Sequence, residues 1–165
     1  MSIQQAANGH EYASTKRYDH NIGLSCAFRQ WRADSHCHFL HGYAVSVRFE
    51  FACDKLDERN WVVDFGGLKT LKKRLEDLLD HKTLVAEDDP HLSYLLEMHE
   101  LGILDIVVLP AVGCEALARI IFDRAIEWLR DEYATKGSWP ELRSVEVAEH
   151  TGNSAIYRKK ANANG

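Results

Sequence analysis

Residues 41 to 51 read HGYAVSVRFEF. Tyr43, Val45, Val47, Phe49 and Phe51 alternate with Ala44, Ser46, Arg48 and Glu50, a period of two that fits a strand with one apolar and one polar face. Such a strand needs backbone partners along its edges and a layer over its apolar face. The segment IGLSCAFRQW, with Leu24, Cys26 and Phe28 on one side, predicts an antiparallel neighbour. RSVEVAE and SAIYR flank the turn-rich HTGN, the pattern of a hairpin.

The covering layer is also legible. Leu68, Leu71, Leu75 and Leu78 recur at helical spacing in LKTLKKRLEDLL, as do Leu117, Ile121, Ala125 and Trp128 in CEALARIIFDRAIEWLRDEY, and both read as amphipathic helices. DDPHLSYLLEMHE predicts a short third helix, and WVVDF and ILDIVVL are short apolar runs. The sum is an α+β fold, an antiparallel four-stranded sheet with two main helices on one face. Its 165 residues make one domain, large enough to bury about 70% of the surface of its unfolded chain. Residues 1–12 and 160–165 are expected to fray.

Acidic residues outnumber basic ones, 25 to 20, without a basic run, which argues against a nucleic-acid partner. No apolar stretch approaches the length of a membrane span and the N-terminus lacks a signal-peptide core, so a cytoplasmic location is expected. Cys26, Cys37, Cys53 and Cys114 show no paired spacing and read as free thiols.

Four places carry candidate chemistry. SHCHFLHGY gathers His36, Cys37, His38 and His41 ahead of the strand. These histidines offer zinc donors, although their spacing fits none of the usual structural-zinc patterns, and a histidine at the mouth of an apolar face serves equally as a carbonyl-bonded core residue. Asp80 and His81 adjoin at the end of the leucine-rich helix, either as an ordinary polar terminus or as a carboxylate orienting an imidazole. Glu149 follows Val145 and Val147 along one strand. It is either an exposed strand end or a buried anchor for a ligand's N–H groups.

In order, CHFLHGYAVSVRFEF, WVVDFGGLK, LLDHKTL, CEALARIIFDRA and VEVAEHTGNSAIY resemble the family of 6-pyruvoyltetrahydropterin and 6-carboxytetrahydropterin synthases, from about Gly23 to Tyr157. The resemblance implies the tunnelling fold, assembled into trimers or hexamers whose sheets form an oligomeric barrel, with active sites between subunits. It implies that Cys37 is the catalytic cysteine, that Asp80 and His81 are a proton relay contributed by a neighbouring subunit, and that Glu149 grips the pterin's N–H edge. Glu115 matches a further substrate-binding glutamate, although Gly113 stands where relatives carry threonine.

The family's zinc is held by three histidines. Here His41 matches one of them, while Phe28 and Tyr43 stand at the other two positions, leaving the ligand set incomplete, with His36, His38 or Cys26 as substitute donors. The expected function is a pterin-converting lyase of the 6-carboxytetrahydropterin type, within queuosine biosynthesis. It would act on dihydroneopterin triphosphate or a related dihydropterin, with Tyr43 taking over part of the catalytic work. The alternative is a homologue that binds a pterin or purine-like ligand without converting it.

Overall fold

A computed structural model of the chain describes residues 4–135 and 139–160. Two four-stranded sheets share one core. The first, antiparallel throughout, has the order β1-β4-β7-β8, from β1 (Tyr12–Tyr18), β4 (Ser46–Cys53), β7 (Glu141–His150) and β8 (Asn153–Arg158). The second has the order β3-β2-β5-β6, from β3 (His41–Ala44), β2 (Ser25–Phe28), β5 (Lys82–Ala86) and β6 (Ile106–Leu109); β2 and β3 run antiparallel, and the β2–β5 and β5–β6 pairs are parallel. The α-helices of the described residues are α1 (Lys69–Leu79), α2 (Leu92–Glu100) and α3 (Cys114–Tyr133).

The alternation that reads as one strand is shared between two sheets. Residues 41–44 pair with β2, in register Cys26 to Tyr43 and Phe28 to His41, and residues 46–53 pair with β1 and β7. Val45 is the crossing point, its N–H donating to the Leu24 carbonyl at 3.1 Å. The β2–β3 pairing expected from sequence is present, as are the hairpin, both main helices and the short α2. WVVDF forms no strand and leads through turns into α1.

Val47, Phe49, Phe51, Val145 and Val147 point at the helices and are fully buried, each such side chain contributing about 2 kcal/mol of burial. Leu71, Leu75 and Leu78 from α1 and Leu117, Ile121 and Trp128 from α3 fill the other side. Trp128 donates its indole N–H to Thr70 at 2.7 Å, and the Tyr18 hydroxyl donates to the Leu68 carbonyl at 2.9 Å, tying β1 to the start of α1. The segment expected to fray carries Gln5 bridged to Lys55 and the Ala6 N–H bonded to the Asp54 carbonyl; positions 1–3 and 161–165 lie outside the described residues.

Candidate functional site

Cys37 occupies a single 3₁₀ turn, His36–His38. Ser35 caps it, its hydroxyl accepting from the Cys37 N–H at 3.3 Å, and the Gln30 N–H donates to the Cys37 carbonyl at 2.9 Å. The turn therefore folds back on the end of β2 with its thiol half-buried. His36 is exposed, while His38 directs Nδ1 at the Ser35 carbonyl and packs its ring against Phe39.

His41 opens β3. Its Nδ1 lies 2.7 Å from the Phe39 carbonyl, which can only accept, so this nitrogen carries the proton. Nε2 is left as an acceptor, and the Tyr43 hydroxyl donates to it. Tyr43 stacks on the buried Phe28, ring centroids 4.2 Å apart and planes 12° from parallel. Burial pushes the Tyr43 phenol up to about 12, helped by Glu149, Cys37, Cys114 and Cys26, so near neutral pH the hydroxyl remains a donor.

This arrangement does not fit the three-histidine zinc set. Phe28 has no donor atom, a neutral phenol is a poor zinc ligand, and both nitrogens of His41 are engaged. Among the described residues no three His, Cys, Asp or Glu side chains are gathered as metal donors would be, so the structure does not assemble His36 and His38 with His41.

The Cys37 turn closes on the end of β2 where Phe28 pairs with His41, and Glu149 follows the Ala148–Ser46 pair, next to the Val45 crossing point; the charges of both bear on Tyr43. Glu149 sits where the β7–β8 register slips between Ala148 and His150, a bulge of the kind that re-aims a side chain. Cys114 opens α3 beside the Glu149 backbone, and burial first, then Glu149, Glu115 and Cys26, pushes its thiol up to about 12. Burial alone does the same to Cys26, so these two remain protonated thiols. Glu115 is exposed in the first turn of α3, where the helix dipole favours a carboxylate. Gly113 precedes it with φ 106°, and a Cβ there would lie 2.0 Å from Gln30 Nε2. That amide donates to the Val112 carbonyl at 3.0 Å, filling the space a larger residue would need.

Asp80 and His81 stand apart from this group. Asp80 ends α1 and accepts from His81 Nδ1 at 2.8 Å. His81 has φ 58°, an 86% exposed side chain, and an N–H bonded to the Ser25 carbonyl at 2.6 Å. One end of β2 thus holds His81 and the other holds Cys37. From Ser25 to Gln30 is five residues, roughly 16 Å of strand at about 3.3 Å each, so within one chain the relay pair does not reach the thiol. A cleft of about 420 Å³ beside Tyr12, Ser14, Trp61, Val63 and Phe65 shares no residue with either group.

A family profile described as 6-pyruvoyl tetrahydropterin synthase matches residues 18–160. The chain belongs to that family. A 6-carboxy-5,6,7,8-tetrahydropterin synthase from Aquifex aeolicus is 26% identical over 144 residues, covering 84% of this chain and 85% of the relative. One of the same name from Rickettsia conorii is 34% identical over 62 residues, but the match spans only 37% of this chain and 45% of that relative. The crystal structure of an uncharacterised protein from Wolinella succinogenes superposes with TM-score 0.74 at 21% identity, covering 92% of this chain and all of that one. That likeness establishes the fold.

Sequence reasoning passed over Arg29, Gln30, Asp88 and Asp89, and named Cys114 only as a free thiol. The signal for several of them was charge complementarity: FRQWRADS carries two arginines and AEDDP three carboxylates, and the structure joins them.

Proposed function

We propose that the chain is a pterin-converting lyase acting on a dihydropterin with a hydroxylated side chain, dihydroneopterin triphosphate or a close relative. Glu149 accepts from the two-donor edge of the pterin ring. Cys37 takes the proton next to the ring, and Asp80 and His81 of a neighbouring subunit return it. Tyr43 supplies a hydrogen bond to the side-chain oxygen. No step is assigned to zinc, because the ligand set does not accommodate it. The observation that carries the reading is that the Cys37 turn closes on the end of β2 beside the Tyr43–His41 pair, with Glu149 one residue past the Ala148–Ser46 pair, in a chain whose family profile covers all of these residues.

The test has two arms. In untagged protein, zinc per chain measured by elemental analysis is expected to be well below one, with turnover of dihydroneopterin triphosphate unchanged by chelation. Glu149→Gln is expected to weaken pterin binding and Cys37→Ala to abolish turnover while sparing binding. Stoichiometric zinc lost together with turnover would overturn the metal-independent form. The engagement of both His41 nitrogens favours a second reading, a pocket that binds a pterin without converting it; this requires binding by the wild type with no turnover at any enzyme concentration.

A further inference from the structure

The turn that carries Cys37 is bolted to the segment between β5 and α2. Arg29, just past β2, donates Nε to Asp89 Oδ2 at 2.8 Å and Nη2 to Asp89 Oδ1 at 2.6 Å, the two-point geometry that holds a guanidinium in one plane. Its remaining arm, Nη1, donates to the His38 carbonyl at 3.3 Å. The Asp89 carboxylate is 2% exposed and also accepts from the His91 N–H at 2.8 Å. Two and three residues further along the same loop, Trp31 and Arg32 both donate to Asp88, and the Arg32 guanidinium lies 3.9 Å over the Trp31 ring.

Each contact fixes a different point of the loop. The Gln30–Cys37 backbone bond closes its neck, Arg29 holds its far side at His38, and the anchor is a buried carboxylate on another element. A surface ion pair between mobile side chains would fix little. A buried two-point pair whose third arm reaches the turn's backbone transmits position.

We propose that Arg29 is a positioning residue for Cys37, and that the segment entering α2 serves this site by supplying Asp88 and Asp89. This rests on the catalytic reading of Cys37, and the experiment separates the two. Arg29→Gln is labelled with iodoacetamide at fixed pH, and modification is followed at each cysteine by peptide mass mapping. Cys37 is expected to react about tenfold faster once its turn is released and opens more often. Buried Cys26, three residues before Arg29, is expected to stay protected, and turnover of dihydroneopterin triphosphate is expected to fall. Arg29→Lys, which keeps the charge but not the three-point contact, should lie between the two and stands in if Arg29→Gln does not fold. A Cys37 rate within twofold of wild type in the folded variants overturns the proposal, as does equal gain at Cys26 and Cys37, which means the clamp only supports the fold. Selective release of Cys37 with turnover unchanged leaves the clamp in place and removes Cys37 from catalysis.

Discussion

At the scale of single residues, two backbone positions carry opposite lessons. His81 adopts φ 58°, a conformation costing a non-glycine residue about 1–2 kcal/mol, at the helix end where glycine is the usual occupant. Strain kept at such a place points to a side chain that is needed. His81→Gly is therefore expected to raise unfolding stability by roughly 0.5–1 kcal/mol and to lower turnover by about 100-fold; denaturant titration beside a rate assay would refute this by showing either a loss of stability or full activity. Gly113 is glycine for a structural reason. With φ 106° and Gln30 Nε2 occupying the Cβ position, Gly113→Ala should cost about 2 kcal/mol, part strain and part a lost Gln30–Val112 hydrogen bond. Adding Gln30→Ala should relieve the contact and leave about 1 kcal/mol of strain. If the single variant unfolds at the wild-type urea midpoint, the close packing of Gln30 over Gly113 is wrong.

At the scale of elements, the clamp between the Cys37 loop and α2 has a pH signature. The Arg29 hydrogen bonds hold the Asp89 carboxyl below the usual carboxylate range, while burial opposes them and the His91 N–H assists. A carboxylate whose folded value is depressed stabilises the fold fully above its unfolded value near about 4, and that contribution is lost as pH falls through the lower folded value. Asp89→Asn should thus be destabilised by roughly 3 kcal/mol at neutral pH, with the gap to wild type narrowing below about pH 4; a gap equal at pH 7 and pH 3 would exclude the ionised pair. The sequence could not announce this clamp, because its halves lie 60 residues apart and each looks like an ordinary charged loop. What it did announce was whatever depends on local period: β4, β7, the hairpin, α1 and α3. β1 was missed because its inward positions include Ser14 and Lys16, the latter over the Tyr18 ring, which erases the apolar alternation of an edge strand. The break at Val45 was invisible because alternation runs unchanged through a change of sheet; only Ser46, buried to 2% where a polar face was expected, betrays it. The Asp-His pair and the cysteine were legible as motifs, and the resemblance implied that they belong to different subunits, but that β2 is the element holding them apart was not legible.

At the scale of the whole molecule, that separation governs what one chain can do. β1 and β8 stand at the two edges of the first sheet, and the face away from the helices is a ladder of charge in which Arg17 and Arg48 share Glu146 at 3.7 and 3.8 Å. Open edges in a sheet with one ionic face are managed by pairing or covering. We expect chains to pair edge to edge in a closed ring, bringing the Asp80–His81 end of one chain to the Cys37 end of the next, since the two groups are held at opposite ends of β2 within a chain. The consequence is complementation. Cys37→Ala and His81→Ala chains should each be inactive alone, because every site then lacks one half. If the two are unfolded, mixed in equal amounts and refolded together, a site is intact only where a chain with Cys37 precedes a chain with His81, which random assembly of a ring produces about one time in four. Turnover should therefore return to about a quarter of the wild-type value, and native mass spectrometry of the mixture should show mixed oligomers. Mixed oligomers without recovered turnover would mean that Cys37 and His81 act from one chain or not at all, and a monomeric mass at working concentrations would remove the shared site altogether.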